Sequence, residues 1–205
     1  RKLKTGLYFE KHIKGFRPGD FIILAGRPKM GKSAFANQII CDLIRQNKRI
    51  MYVNNEMDEF SVINRMLANI YGVSVSALNE PESMSEYVCK QVIEHAEDFR
   101  KLPLELYCFQ MKTPTQIITE AQRLSDAGRP VDMIVLDYLQ LFRTGEKFKT
   151  MYEEITSLSW QMKMVAADLK LPVLALAQVN PNARTDPIKD LCLLICVKPE
   201  HLSKT

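Results

Sequence analysis

The clearest chemistry in the chain lies in one short run. Gly26-Arg27-Pro28-Lys29-Met30-Gly31-Lys32-Ser33 fits the pattern G-x-x-x-x-G-K-[ST] at every fixed position. Glycines at those places let the backbone wrap closely around a polyphosphate, and successive main-chain N–H groups then form an anion nest. A helix starting directly behind the loop adds the positive end of its dipole. In such a loop Lys32 reaches the β- and γ-phosphates and the Ser33 hydroxyl coordinates Mg²⁺. The nucleotide-binding residues expected from this run are Gly26, Arg27, Pro28, Lys29, Met30, Gly31, Lys32, Ser33 and Ala34, with ATP and Mg²⁺ as the ligands. The bland alternative is a glycine-containing turn with a surface lysine, and it gives no reason for a strand before the run and a helix after it.

A nucleotide hydrolase also needs a carboxylate beside the cation. Open α/β sheets bind ligands at the carboxyl ends of their strands. Asp137 closes the apolar run Met133-Ile134-Val135-Leu136 and suits that role, so Ser33 and Asp137 form the expected magnesium pair. Asp132 stands at the wrong end of the same run. Hydrolysis further requires a group that orients or deprotonates water. Glu56 follows the apolar run Ile50 to Val53 and precedes a helical pattern, which brings it to the same edge as Lys32 and Asp137. An acidic residue there could equally serve the first turn of a helix, although Asp58 and Glu59 are better placed for that purpose. From the residues alone, Glu56 remains open between the two roles.

These residues must be held by a scaffold, and the chain alternates short apolar runs with helix-length segments. Strands are predicted over 21–25, 50–53, 104–109, 131–136, 173–177 and 192–197. Helices are predicted over 33–45, 58–70, 86–102, 114–127 and 152–169, with a polar loop over 74–85. Strands that are apolar throughout, separated by helices, predict an α/β fold: a mostly parallel central sheet covered by helices on both faces. A length of 205 residues suits one large domain, and 46% hydrophobic with 25% charged residues is the composition of a globular protein. A net charge of +4 permits a nucleic-acid partner without requiring one, so any such reading must rest on local positions. Cys41, Cys89, Cys108, Cys192 and Cys196 are odd in number and form no C-x-x-C pair, which predicts free thiols in a reducing compartment. No apolar run approaches the ~20 residues of a membrane span, and a cytoplasmic location is expected.

The motifs together resemble those of the DnaB-type replicative DNA helicases. Pro18 to Ser33 resembles that family's first motif, including the Arg-Pro-x-Met-Gly-Lys core. Asn55-Glu56-Met57 resembles its second, Ile134 to Leu141 its Walker B motif, and Pro172 to Asn180 its third. The order is the family's, over about residues 5 to 190. The resemblance implies a RecA-like P-loop NTPase fold, with Glu56 as the catalytic base and Gln178 as the sensor of the γ-phosphate. From the residues alone Gln178 is only a polar residue closing an apolar strand.

The resemblance further implies ATP-driven translocation on single-stranded DNA and duplex unwinding in a bacterial or phage-encoded replisome. Other copies of the chain in a homohexameric ring, a primase and a helicase loader are the implied protein partners. DNA-gripping loops map to residues 143–151 and 179–190. Their candidate contacts are Arg143, Lys147, Lys149 and Arg184, and the competing account of the first segment is a solvated basic turn. Residues 1–17 are expected to be a basic lead-in or linker, and 18–205 the ATPase domain. Three departures are visible. A collar domain is not included, the usual basic loop and acidic motif are skipped near 190–192, and no basic pair follows that would reach a neighbouring subunit's ATP. The expectation is a piece of a longer chain with a segment left out near 190–192. Arg184 and Lys198 do not match the trans-acting motif. Two other functions compete: a RecA-like recombinase or regulatory ATPase that does not unwind, and a nucleotide-gated assembly or adaptor module with little turnover.

Overall fold

A computed structural model describes residues 2–7, 15–79, 82, 85–179 and 194–196. Its centre is a sheet with strand order β3-β2-β4-β5-β1-β6, formed by β1 (Phe21–Gly26), β2 (Ile50–Asn54), β3 (Leu104–Cys108), β4 (Met133–Asp137), β5 (Val173–Gln178) and β6 (Leu194–Cys196). Every neighbouring pair is parallel. The helices are α1 (Lys32–Arg45), α2 (Glu59–Tyr71), α3 (Val75–Asn79), α4 (Glu86–Arg100), α5 (Pro114–Asp126) and α6 (Met151–Leu169).

The all-apolar strands are explained by two separate cores. Alternate residues of a strand point to opposite faces. Ile23, Met51, Val53, Ile134 and Leu136 pack on one face with Ile117 and Leu124 of α5 and Leu158, Met162 and Val165 of α6. Ile22, Leu24, Ile50, Val135 and Leu174 pack on the other with Ile39, Ile40 and Leu43 of α1 and Val62 and Met66 of α2. Within the lead-in segment, Leu3 and Phe16 pair through two main-chain hydrogen bonds and join this second core.

The structure corrects several boundaries. The stretch read as a loop over 74–85 contains α3, whose residue Asn79 accepts a hydrogen bond from Asn64 at 3.2 Å. The fourth strand starts at Met133 and not at Val131, because Asp132 is taken up in pinning the opposite edge of the sheet. Its carboxylate accepts from the Arg49 N–H at 2.9 Å and from Lys48 Nζ at 3.4 Å. Asp58 lies outside α2 as its N-cap, accepting from the Ser61 N–H at 2.9 Å. Cys41 is buried, whereas Cys89 and Cys108 are only partly so, and all three are free thiols. Burial pushes the Cys41 thiol up to about 12 and the Cys108 thiol up to about 11. Cys192 falls outside the described residues.

Candidate active site

A parallel sheet sends all its C-terminal strand ends to one edge. Here β1 ends at Gly26, β2 at Asn54, β4 at Asp137 and β5 at Gln178. The register sets Gly26 opposite Gln178 and Asn54 opposite Asp137.

The phosphate loop joins β1 to α1. Gly31 takes the left-handed conformation at φ 79° and stands as the N-cap of α1 without a side-chain cap, and no acidic residue occupies the first turn. The leading N–H groups of α1 are thus left for an anion. At Gly26 a Cβ would sit 3.4 Å from Lys32 Cγ, so the lysine stem packs against the loop's first residue. Lys32 is buried, and its Nζ donates to the Arg27 carbonyl at 2.9 Å, closing the loop on itself. Burial lowers its pKa, and the charges of Glu56 and Asp137 oppose that fall. Arg27, Pro28, Lys29 and Ala34 are exposed, while Met30, Gly31 and Ser33 are half-buried.

Asp137 is 1% exposed. Burial pushes its carboxyl up to about 6 and the Glu56 charge adds to the rise, against hydrogen bonds from Ser33 and Tyr52 and the charge of Lys32. The Ser33 hydroxyl and the Asp137 carboxylate act on each other and make a pair of hard oxygen donors. That set fits Mg²⁺, which keeps several waters and shares its remaining positions with substrate phosphates.

Behind Asp137 runs a buried polar path that the sequence did not reveal. The Tyr52 hydroxyl donates to Asp137 Oδ2 at 3.1 Å and accepts from Asn54 Nδ2 at 3.0 Å. Asn54 Oδ1 in turn accepts from the main-chain N–H of Glu56 at 2.8 Å and of Met57 at 2.7 Å. The Asn55 N–H donates to the Asp137 carbonyl at 2.8 Å. The candidate metal carboxylate and the segment carrying the candidate base are therefore fixed to each other through groups that water does not reach. Glu56 itself is exposed, yet its charge is felt at both Lys32 and Asp137.

Gln178 closes β5, its peptide held by the side chain of Gln140. Beyond the 3-10 turn Leu139–Leu141 lies the candidate DNA segment. Lys147 and Lys149 are exposed there. Arg143 is folded back: its Nη1 donates to the Gln140 and Phe142 carbonyls, each at 2.9 Å, and its Nε lies 3.8 Å from Glu154. Arg184 and the rest of 180–190 lie outside the described residues.

The family model for the DnaB-like helicase C terminal domain matches residues 3–189. The chain belongs to that family. Among curated relatives, a replicative DNA helicase DnaB of Haemophilus influenzae is 29% identical over 174 residues, covering 83% of this chain and 37% of the relative. A probable plasmid replicative DNA helicase of Chlamydia muridarum is 31% identical over 165 residues, covering 79% of this chain and 36% of the relative. The DnaB-like domain described here thus spans a little over a third of those relatives. Among solved structures, one ATPase domain superposes with a TM-score of 0.79 at 18% identity, covering 87% of this chain and 64% of that one. A DnaB-like replicative helicase, solved in a study of its interactions with primase, superposes at 0.78 and 18% identity, covering 90% of this chain and 45% of that one. A KaiC-like protein of Pyrococcus horikoshii superposes at 0.56 and 14% identity, covering 87% of this chain and 71% of that one. These likenesses establish the RecA-like fold. Among the described residues, no helix is long and apolar enough to cross a membrane.

Proposed function

We propose that this domain is the ATP-hydrolysing motor of a replicative DNA helicase, coupling hydrolysis to translocation on single-stranded DNA and to duplex unwinding. The observation that carries the reading is the meeting of Lys32, Asp137 and Glu56 in one electrostatic neighbourhood beside a phosphate loop whose helix N-terminus is uncapped. Lys32 exchanges the Arg27 carbonyl for the β- and γ-phosphates. Ser33 and Asp137 would hold Mg²⁺, and the ion would supply neutralisation of the phosphate charge. Glu56 accepts a proton from the water that attacks the γ-phosphorus, the bond from that phosphorus to the β–γ bridging oxygen breaks, and ADP and phosphate leave. Gln178 reports the loss of the γ-phosphate towards the DNA segments. The full protein works as a homohexameric ring, with a primase and a loader as partners.

Lys32→Ala is expected to weaken ATP binding and abolish turnover. Glu56→Gln is expected to keep nucleotide binding while lowering kcat about 10²-fold or more, because an amide cannot take the proton. Steady-state hydrolysis and analogue binding on the full-length protein, with folding checked by circular dichroism, test both. Turnover within a few-fold of wild type in the glutamine variant would remove Glu56 as the base. A forked-duplex assay separates helicase from non-unwinding ATPase: strand exchange without unwinding would favour the recombinase class, and binding without turnover the adaptor class.

A further inference from the structure

Strands β4 and β5 pair only as far as Leu136 opposite Ala175, yet β5 runs on to Gln178. In a parallel ladder each residue turns its N–H and C=O to one neighbour, and the next residue turns them to the other. Val173 donates to Asp20 at 2.8 Å and Val179 to Gly26 at 3.2 Å, both on the β1 side. Gln178 therefore turns its peptide groups to the β4 side, where the chain has already left the sheet. The Gln140 carboxamide stands in that place. Its Nε2 donates to the Gln178 carbonyl at 2.8 Å and its Oε1 accepts from the Gln178 N–H at 3.3 Å. A side-chain amide here does the work of a missing strand peptide.

Gln140 also faces the other way. Its main-chain carbonyl accepts from Arg143 Nη1 at 2.9 Å, and the Arg143 N–H donates to the Lys112 carbonyl at 2.7 Å. One residue thus ties the last peptide of β5 to the first residue of the 143–150 segment.

We propose that Gln140 is a positioning residue that couples the Gln178 peptide to the 143–150 segment, so that the state of the γ-phosphate and the grip on DNA change together. The proposal rests on the reading of Gln178 as the sensor. Gln140 touches no reacting group, so its removal uncouples the two functions without stopping chemistry.

The test uses the assembled full-length protein and a single-stranded oligo-dT. Gln140→Met keeps the length and removes both hydrogen bonds. Gln140→Glu keeps the acceptor for the Gln178 N–H, removes the donor, and sets a negative charge against the Gln178 carbonyl. Each is expected to lower DNA stimulation of the ATPase about tenfold, the scale of two missing hydrogen bonds in Gln140→Met and of one missing bond plus charge repulsion in Gln140→Glu, with the DNA-free rate and ATP-analogue affinity within about twofold of wild type. If Gln140→Met unfolds at the assay temperature, Gln140→Glu carries the same test. Stimulation retained in both variants would overturn the proposal, as would an equal loss of the DNA-free and stimulated rates in a folded protein. Gln178→Ala separates the two claims. If it keeps full stimulation, the sensor reading fails and the coupling fails with it. If it loses stimulation while Gln140→Met keeps it, only the coupling fails. If the double variant is no worse than Gln178→Ala alone, the two residues act in one path.

Discussion

At the scale of single residues, Asp137 is costly to the fold whenever no cation sits beside it. Burial lifts its carboxyl from an ordinary 3.8 to about 6, so the metal-free folded state binds that proton more tightly than the unfolded chain does. The contribution to stability is complete below pH ~4 and is lost as pH rises through about 6. Asp137→Asn, which cannot ionise, is therefore expected to stabilise the metal-free, nucleotide-free protein above pH ~7, by about 2–3 kcal/mol at most, and to change it little near pH ~4. Thermal melts in EDTA across that range check this, and a gain confined to acid pH would contradict it. The same variant should lose Mg²⁺-dependent turnover. Lys32, Ser33 and Asp137 were legible in the sequence because each is tied to a fixed local spacing or to the end of an apolar run. Tyr52, Asn54 and Gln140 were not. Tyr52 and Asn54 lie in a strand that reads as core throughout, and the partner of the Tyr52 hydroxyl is 85 residues away. Gln140 meets Gln178 across 38 residues. Spacing along the chain carries no trace of such pairs.

Among the elements, the segment from Arg143 to Thr150 is fastened at both ends. Arg143 holds the first end. At the second, Thr150 opens α6 with a capping box: its hydroxyl accepts from the Glu153 N–H at 3.2 Å, while Glu153 Oε2 accepts from the N–H groups of Lys149 at 3.1 Å and Thr150 at 3.3 Å. Thr150→Ala is expected to cost about 1 kcal/mol in urea unfolding and to raise hydrogen exchange at the Lys149 and Thr150 amides. Unchanged exchange there would show that the box does not hold the loop. The pattern Thr-x-x-Glu stands in the sequence at the head of the helix predicted over 152–169, whose observed start is Met151. The small helix α3 was missed. Its surroundings, Ser74 to Ser85, are polar and contain Pro81, so composition outweighed five residues of local helix.

For the molecule as a whole, a net charge of +4 decides little, and the DNA reading depends on where the cations stand. Lys147 and Lys149 project from the segment that leaves the Asp137 strand, and both are exposed. Replacing both with alanine in the full-length protein is expected to weaken single-strand binding and to flatten the plot of log affinity against log salt by about 0.7 for each phosphate no longer neutralised. An unchanged slope would return this segment to a solvated turn. Arg143 was grouped with these lysines in the sequence, but its guanidinium is already occupied within the protein, and only the folded chain could show that. The register of the sheet has a wider consequence. Gly26 meets Gln178 and Asn54 meets Asp137 only in one alignment, and a slip of one residue would turn every side chain of a strand to the opposite face. The phosphate loop, Glu56, Asp137 and Gln178 lie at or just after the ends of four different strands, so a misaligned molecule loses the site they form together. Turnover in a preparation then counts correctly folded molecules, and specific activity becomes a census of the fold.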